Sequence, residues 1–147
     1  MKDPYASGMF SENPYYSKSE VLGKLAVVLR GTFEDRGLEL IRQISRCVKK
    51  HEIHELIASD EKEAGPGTQV NKIAYLGFVE ILQGGVIITG DEVFHNGKRI
   101  GAVAGFDETH MPNHLNIVLR CEERATGAES GFSVGDGIVF SQYPNSK

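Results

Sequence analysis

The stretch Phe106-Asp107-Glu108-Thr109-His110-Met111-Pro112-Asn113-His114 gathers two carboxylates, two imidazoles, a hydroxyl and an amide. No other segment is as dense in groups that move protons or hold ligands. Imidazole with carboxylate suits a divalent transition metal such as zinc, iron or nickel, the open coordination position being the reactive one. On that reading Asp107, His110 and His114 are the ligands, and the protein is a metal-dependent enzyme. A second reading is a small anionic ligand, phosphate or carboxylate, held by His110, His114 and Arg120, with Asp107, Glu108 and Asn113 around it. A third gives Asp107 the task of capping the turn and leaves both histidines on the loop rim. The spacing matches no zinc motif: His-x-x-x-His shares a face only on a helix, and Pro112 disfavours one.

Other chemical candidates are weaker. His51-Glu52-Ile53-His54-Glu55 is not the His-Glu-x-x-His of zinc proteases and reads as a charged, solvated segment. His95 stands beside a turn and is expected to be exposed. Cys121 and His114 have opposite strand parity, which sends a would-be nucleophile and base apart. Gly84-Gly85 and Gly65-Pro66-Gly67 have neither phosphate-loop spacing nor a following helix.

Strands must position these groups. Asn96-Gly97, between Val93-Phe94-His95 and Lys98-Arg99-Ile100, is a strong hairpin signal, because both central residues of a type I′ turn need positive φ. The second arm, Ile100 to Phe106, carries Gly101 and Gly105 on one face, as a strand does where it bends or is closely approached. Val21 to Phe33, Glu52 to Ala58 and Val70 to Leu82 read as strands, the last apolar on both parities and so covered on both sides. His114 to Cys121 alternates, with Leu115, Ile117, Leu119 and Cys121 inward and His114, Asn116, Val118 and Arg120 outward. Residues 36–49 predict one α-helix, with Leu40, Ile41, Ile44, Cys47 and Val48 on its apolar face. Thr89-Gly90-Asp91 and Val134-Gly135-Asp136 repeat a Gly-Asp turn before an apolar strand. About seven short strands and one helix favour a mainly β fold, a small closed or nearly closed barrel with crossing connections.

The length of 147 residues fits a single domain over 21–147, preceded by an irregular arm over 1–20 that bears Tyr5, Phe10, Tyr15 and Tyr16. A net charge of −4 speaks against a nucleic-acid or anionic-membrane surface. No apolar run reaches the ~18–20 residues of a membrane span, and no apolar leader follows Lys2. Cys47 and Cys121 form no metal-spaced pair and are expected to be buried thiols in a cytoplasmic protein. The two-sided apolar segment or the tyrosine-bearing arm predicts a homo-oligomer.

The order of elements, with Ile100-Gly101, Phe106-Asp107, Met111-Pro112, Leu115-Asn116-Ile117-Val118, Gly135 and Val139-Phe140, resembles the glucitol/sorbitol-specific enzyme IIA proteins of the sugar phosphotransferase system. The likeness is clearest over residues 100–140. It implies a small barrel of the kind that passes a phosphoryl group through a histidine. That histidine belongs to the strand after the loop, where this chain has Ile73-Ala74-Tyr75-Leu76-Gly77-Phe78-Val79. The resemblance therefore implies a non-catalytic ligand-binding or regulatory relative, with its pocket at the 107–114 loop. A structural or assembly role is the further alternative.

Overall fold

The computed structural model describes residues 18–142, and the aromatic positions of the N-terminal arm lie outside them. The strands in chain order are β1 (Val21–Val28), β2 (Thr32–Phe33), β3 (Leu38–Glu39) and β4 (Ser45–Val48). They continue with β5 (Ile53–Ser59), β6 (Gln69–Val70), β7 (Ile73–Gln83) and β8 (Gly85–Ile88). The last are β9 (Glu92–His95), β10 (Lys98–Asp107), β11 (Asn116–Arg120) and β12 (Gly137–Ser141).

Seven of them form a ring in the order β1-β12-β9-β10-β11-β5-β7, and β7 pairs again with β1. Every pairing is antiparallel except β11 with β5, so the chain must cross over between those two. Register shifts interrupt β1 at Leu25/Val27, β5 at Leu56/Ile57 and β10 at Val103/Gly105. Such bulges bend and twist a strand, as a ring this small requires. The β9–β10 reversal lies at Asn96-Gly97, with φ of 47° and 87°, as the turn chemistry predicts.

Two apolar layers result. The ring encloses the main core, including Leu25, Leu56, Val79, Phe106, Ile117, Leu119 and Phe140. A second cluster lies on the opposite strand face: Leu38, Leu40, Ile57, Val70, Ile73, Ala104 and Val118. Its cover is the short β3–β6 pair, Leu38 opposite Val70 and Glu39 opposite Gln69. Gly105 is needed there, since a Cβ would stand 3.0 Å from Leu40 Cδ1.

The predicted helix over 36–49 is absent; the described residues contain no helix. Leu38 and Leu40 are buried around an exposed Glu39, a period of two rather than 3.6. Ser45–Val48 pairs with Gly85–Ile88, which leaves Cys47 exposed instead of buried. Leu40, Ile41, Ile44 and Val48 fit a helical face by spacing, but backbone pairing with β8 and the cover over Ile57 and Ala104 outweighs that weak local preference. Three smaller corrections share this origin. Val118 and Asn116 are buried, not solvent-facing, because the second cluster covers them. The two-sided apolar β7 is covered on its outer side at Ile73 and Tyr75 by its own chain, so it needs no second subunit there. Val27 would share Leu25's buried face in a regular strand but is 42% exposed, because the β1 bulge turns it outward.

Candidate functional site

The 107–114 loop does not act as one unit. Asp107 is buried and its carboxylate is occupied by four hydrogen bonds: Oδ2 accepts from Glu39 N (3.1 Å) and Thr109 Oγ1 (3.0 Å), and Oδ1 from Thr109 N (3.0 Å) and Asn116 Nδ2 (3.1 Å). It caps the β10–β11 turn and ties the β3 cover to the ring. No lone pair is left for a cation. Glu108 is exposed and pairs with Arg46. Arg120 sits at the other end of β11, four residues or roughly 13 Å away, where its Nη1 donates to Ala64 O at 3.0 Å. Among the described residues no group of three or more His, Cys, Asp or Glu side chains is placed to hold a metal. Of the metal set Asp107, His110 and His114, the first member is spent on the fold.

His110 and His114 are the part of the loop that comes together, their rings stacked with centroids 5.0 Å apart. They meet residues of a segment that sequence reasoning took to be solvated. His54 and Glu55, on β5, are both buried. Glu55 lies in register with Phe78 on β7 and with Asn116 on β11. His114 packs edge-on against the Phe78 ring, centroids 5.1 Å apart, and its Nε2 stands 3.5 Å from Glu55 Oε1. That nitrogen is buried without a hydrogen-bond partner, as is Asn116 Oδ1. The Glu55 carboxylate accepts no hydrogen bond among the described residues.

The electrostatics of this group are uneven. Burial pushes the Glu55 carboxyl above its ordinary range, and the Arg36 guanidinium pulls it part of the way back. Burial also holds the His114 imidazole below its ordinary range, assisted by His110 and His54. Both members of the facing pair are thus driven toward their uncharged forms. His54 is fixed differently. Its Nδ1 accepts from Leu115 N at 3.0 Å, so its proton is on Nε2, which donates to Glu52 Oε1 at 3.0 Å. The Lys49 N–H above all, and then His54, keep the Glu52 carboxyl below its usual range.

Beside the pair is a cleft of about 280 Å³ walled by Arg30, Arg36, Glu55, Tyr75, Phe78 and His110. Arg36 Nε donates to Tyr75 Oη at 3.2 Å, which aims the rest of the guanidinium fork. Arg30 makes no side-chain hydrogen bond or ion pair among the described residues. Across Phe78, Asn113 and His114 line a second hollow with His51 and Ile53. The predicted residues His110, Asn113 and His114 therefore border the site, while Asp107, Glu108 and Arg120 do not. The missed ones are Glu55, Arg36, Arg30 and Tyr75. One signal for Glu55 was present: it shares strand parity with Ile57, an apolar face that is covered.

A family model, described as a family of unknown function (DUF6917), matches residues 15–141. The chain belongs to that family. Searches of curated proteins and of solved structures returned no match. For this member of DUF6917 the chemistry has to be read from its own side chains. Those are two cationic forks, a phenol, the Glu55 carboxyl and the His110 imidazole around one cleft, with the unpartnered His114 nitrogen beside Glu55. They can hold an anion and exchange a proton with it. No Ser, Thr or Cys side chain lines this cleft among the described residues, and Cys121 lies beyond the opposite end of β11.

Proposed function

We propose that the protein is a non-catalytic binding protein for a small anion, a phosphate or carboxylate, seated between Arg30 and Arg36. The observation that carries this reading is the Glu55 carboxyl, which walls a cleft with two arginines and has the unpartnered His114 Nε2 beside it. Buried polar atoms without partners are uncommon and mark places where a ligand can complete the bonding. Burial raises the Glu55 pKa, which lowers the cost of protonating it beside an anion. The resemblance to sugar-system IIA proteins stands behind the same proposal, with the seven-strand ring as a small closed barrel of that type. The absence of a histidine over Ile73–Val79 supports binding rather than phosphoryl relay.

Titration of the ¹⁵N-labelled full chain with inorganic phosphate and with malonate tests the reading. Saturable shifts at the amides of Arg36, Glu55 and Tyr75 are expected. Arg36→Ala and Arg30→Ala should each weaken binding about tenfold or more, the worth of one charge-assisted hydrogen bond. Shifts that stay linear in ligand, or that are indifferent to both variants, would sink the proposal. Incubation with labelled phosphoenolpyruvate, its kinase and the phosphocarrier is expected to leave no acid-labile label. A labelled histidine would replace binding with relay.

A further inference from the structure

The other end of the ring carries a second cavity, of about 410 Å³, that shares no residue with the cleft. Its floor is apolar: Ala58 and Leu76 from the main core, with Ile100, Cys121 and Phe132 packed against it. One wall is built rather than incidental. The His95 ring lies flat on Phe132, centroids 3.9 Å apart at 17°, and its Nε2 is 2.7 Å from Asp136 Oδ2. Asp136 also accepts from Ser133 N at 2.9 Å, so the imidazole is held in place by a carboxylate that is itself held. His95 first, and then that N–H, keep the Asp136 carboxyl below its usual range.

The rim has both signs of charge. Lys98 and Arg99 open β10, and Glu122 and Glu123 come from the segment after β11. Arg99 Nε lies 3.4 Å from Glu92 Oε1. Lys98, Glu122 and Glu123 enter no side-chain hydrogen bond or ion pair among the described residues. Two free acids and one free cation thus surround an apolar floor. A purely hydrophobic guest would use the floor and none of these exposed charges, and a simple anion would meet Glu122 and Glu123. A guest with an apolar body and a head of both signs answers all of them. Burial pushes the Cys121 thiol up to about 11, which keeps it protonated and makes it part of the floor rather than a nucleophile.

We infer that this cavity binds a small zwitterion with an apolar side chain, of the chemical class of the aromatic and branched α-amino acids. The carboxylate is met by Lys98, the ammonium by Glu122 and Glu123, and the side chain rests on Leu76, Ile100 and Phe132. The site is independent of the anion cleft and stands whether or not that cleft is occupied.

The experiment uses the ¹⁵N-labelled full chain with L-phenylalanine and L-leucine as probes. Phenethylamine, which lacks the carboxylate, and 3-phenylpropionate, which lacks the amine, are the controls. Saturable shifts are expected at the amides of Lys98, Arg99, Glu122 and Glu123, and not at Arg36 or Glu55. Each control should bind about tenfold more weakly than phenylalanine, one charge-assisted contact being lost. Glu122→Gln with Glu123→Gln should weaken phenylalanine by a similar factor and leave 3-phenylpropionate no weaker. Ser130→Trp, an exposed lining position, should abolish binding without touching the core. Non-saturating shifts at millimolar probe would overturn the inference. So would controls that bind as well as the amino acids, or binding that survives Ser130→Trp. Because the two sites report through different amides, failure here leaves the anion proposal untouched, and the reverse also holds.

Discussion

Asp107 and Glu55 are both buried carboxylates, 2% and 8% exposed, on strands that flank β11. Their surroundings differ completely. Asp107 receives four hydrogen bonds from three residues and serves the turn, whereas Glu55 receives none and faces an imidazole nitrogen that also has none. The comparison separates two meanings of a polar cluster. Where every lone pair is used by the chain's own donors, the group stabilises the fold and cannot also bind. Where burial is incomplete in its bonding, the group is left to be satisfied by a water, a ligand or a proton.

The largest test breaks the saturated member. Asp107→Ala strands the buried Asn116 amide and the Glu39 N–H together, and should cost about 3–4 kcal/mol, the sum of two or three unsatisfied groups. Denaturant unfolding measures it, and a loss under about 1 kcal/mol would mean that the four bonds are not a unit. Thr109→Val removes Asp107's one hydroxyl donor and should cost about 1 kcal/mol. Glu55→Gln should shift stability by less than about 1 kcal/mol, since it replaces a carboxyl already driven toward neutrality by an isosteric amide. A loss as large as that of Asp107→Ala would erase the contrast.

The smallest test is the pH slope. A carboxyl whose native pKa is raised binds more protons folded than unfolded, so its contribution to stability falls as pH climbs from the ordinary glutamate range through the raised one. His114, lowered in the native state, binds fewer protons folded, so its contribution rises with pH until its ordinary value near 6.5 is passed. The two trends oppose each other in mildly acid solution. Glu55→Gln should therefore steepen the rise of stability with pH there, and His114→Asn should reverse it. Melting temperatures across that interval supply the readout, and a Glu55→Gln profile parallel to wild type would refute the raised carboxyl.

The sequence revealed the ring better than the site. Asn96-Gly97 marks its reversal point by turn chemistry, and the alternation of Leu115, Ile117 and Leu119 gives an inward face that holds. Local signals of that kind need no knowledge of the rest of the chain. The segment 36–49 was misread because Leu40, Ile41, Ile44 and Val48 fit a helix by spacing, while the partners that make it extended, Val70 and the Gly85–Ile88 strand, lie far along the chain. The same distance hid the cleft. The densest run of functional groups contains Asp107 and Glu108, whereas Arg36, Glu55 and Tyr75 lie far apart in the sequence and converge through pairing with β7 and β11. His110 and His114 were found because they belong to both descriptions.

The ring is sealed by β12, which hydrogen-bonds β1 on one side and β9 on the other. Synthesis makes the two flanks long before it makes the piece that joins them. Until residues 137–141 emerge, a growing chain presents two bare backbone rows, each able to recruit a stranger's strand. Strand β12 thus decides whether these two flanks close on each other or stay open to a stranger's strand.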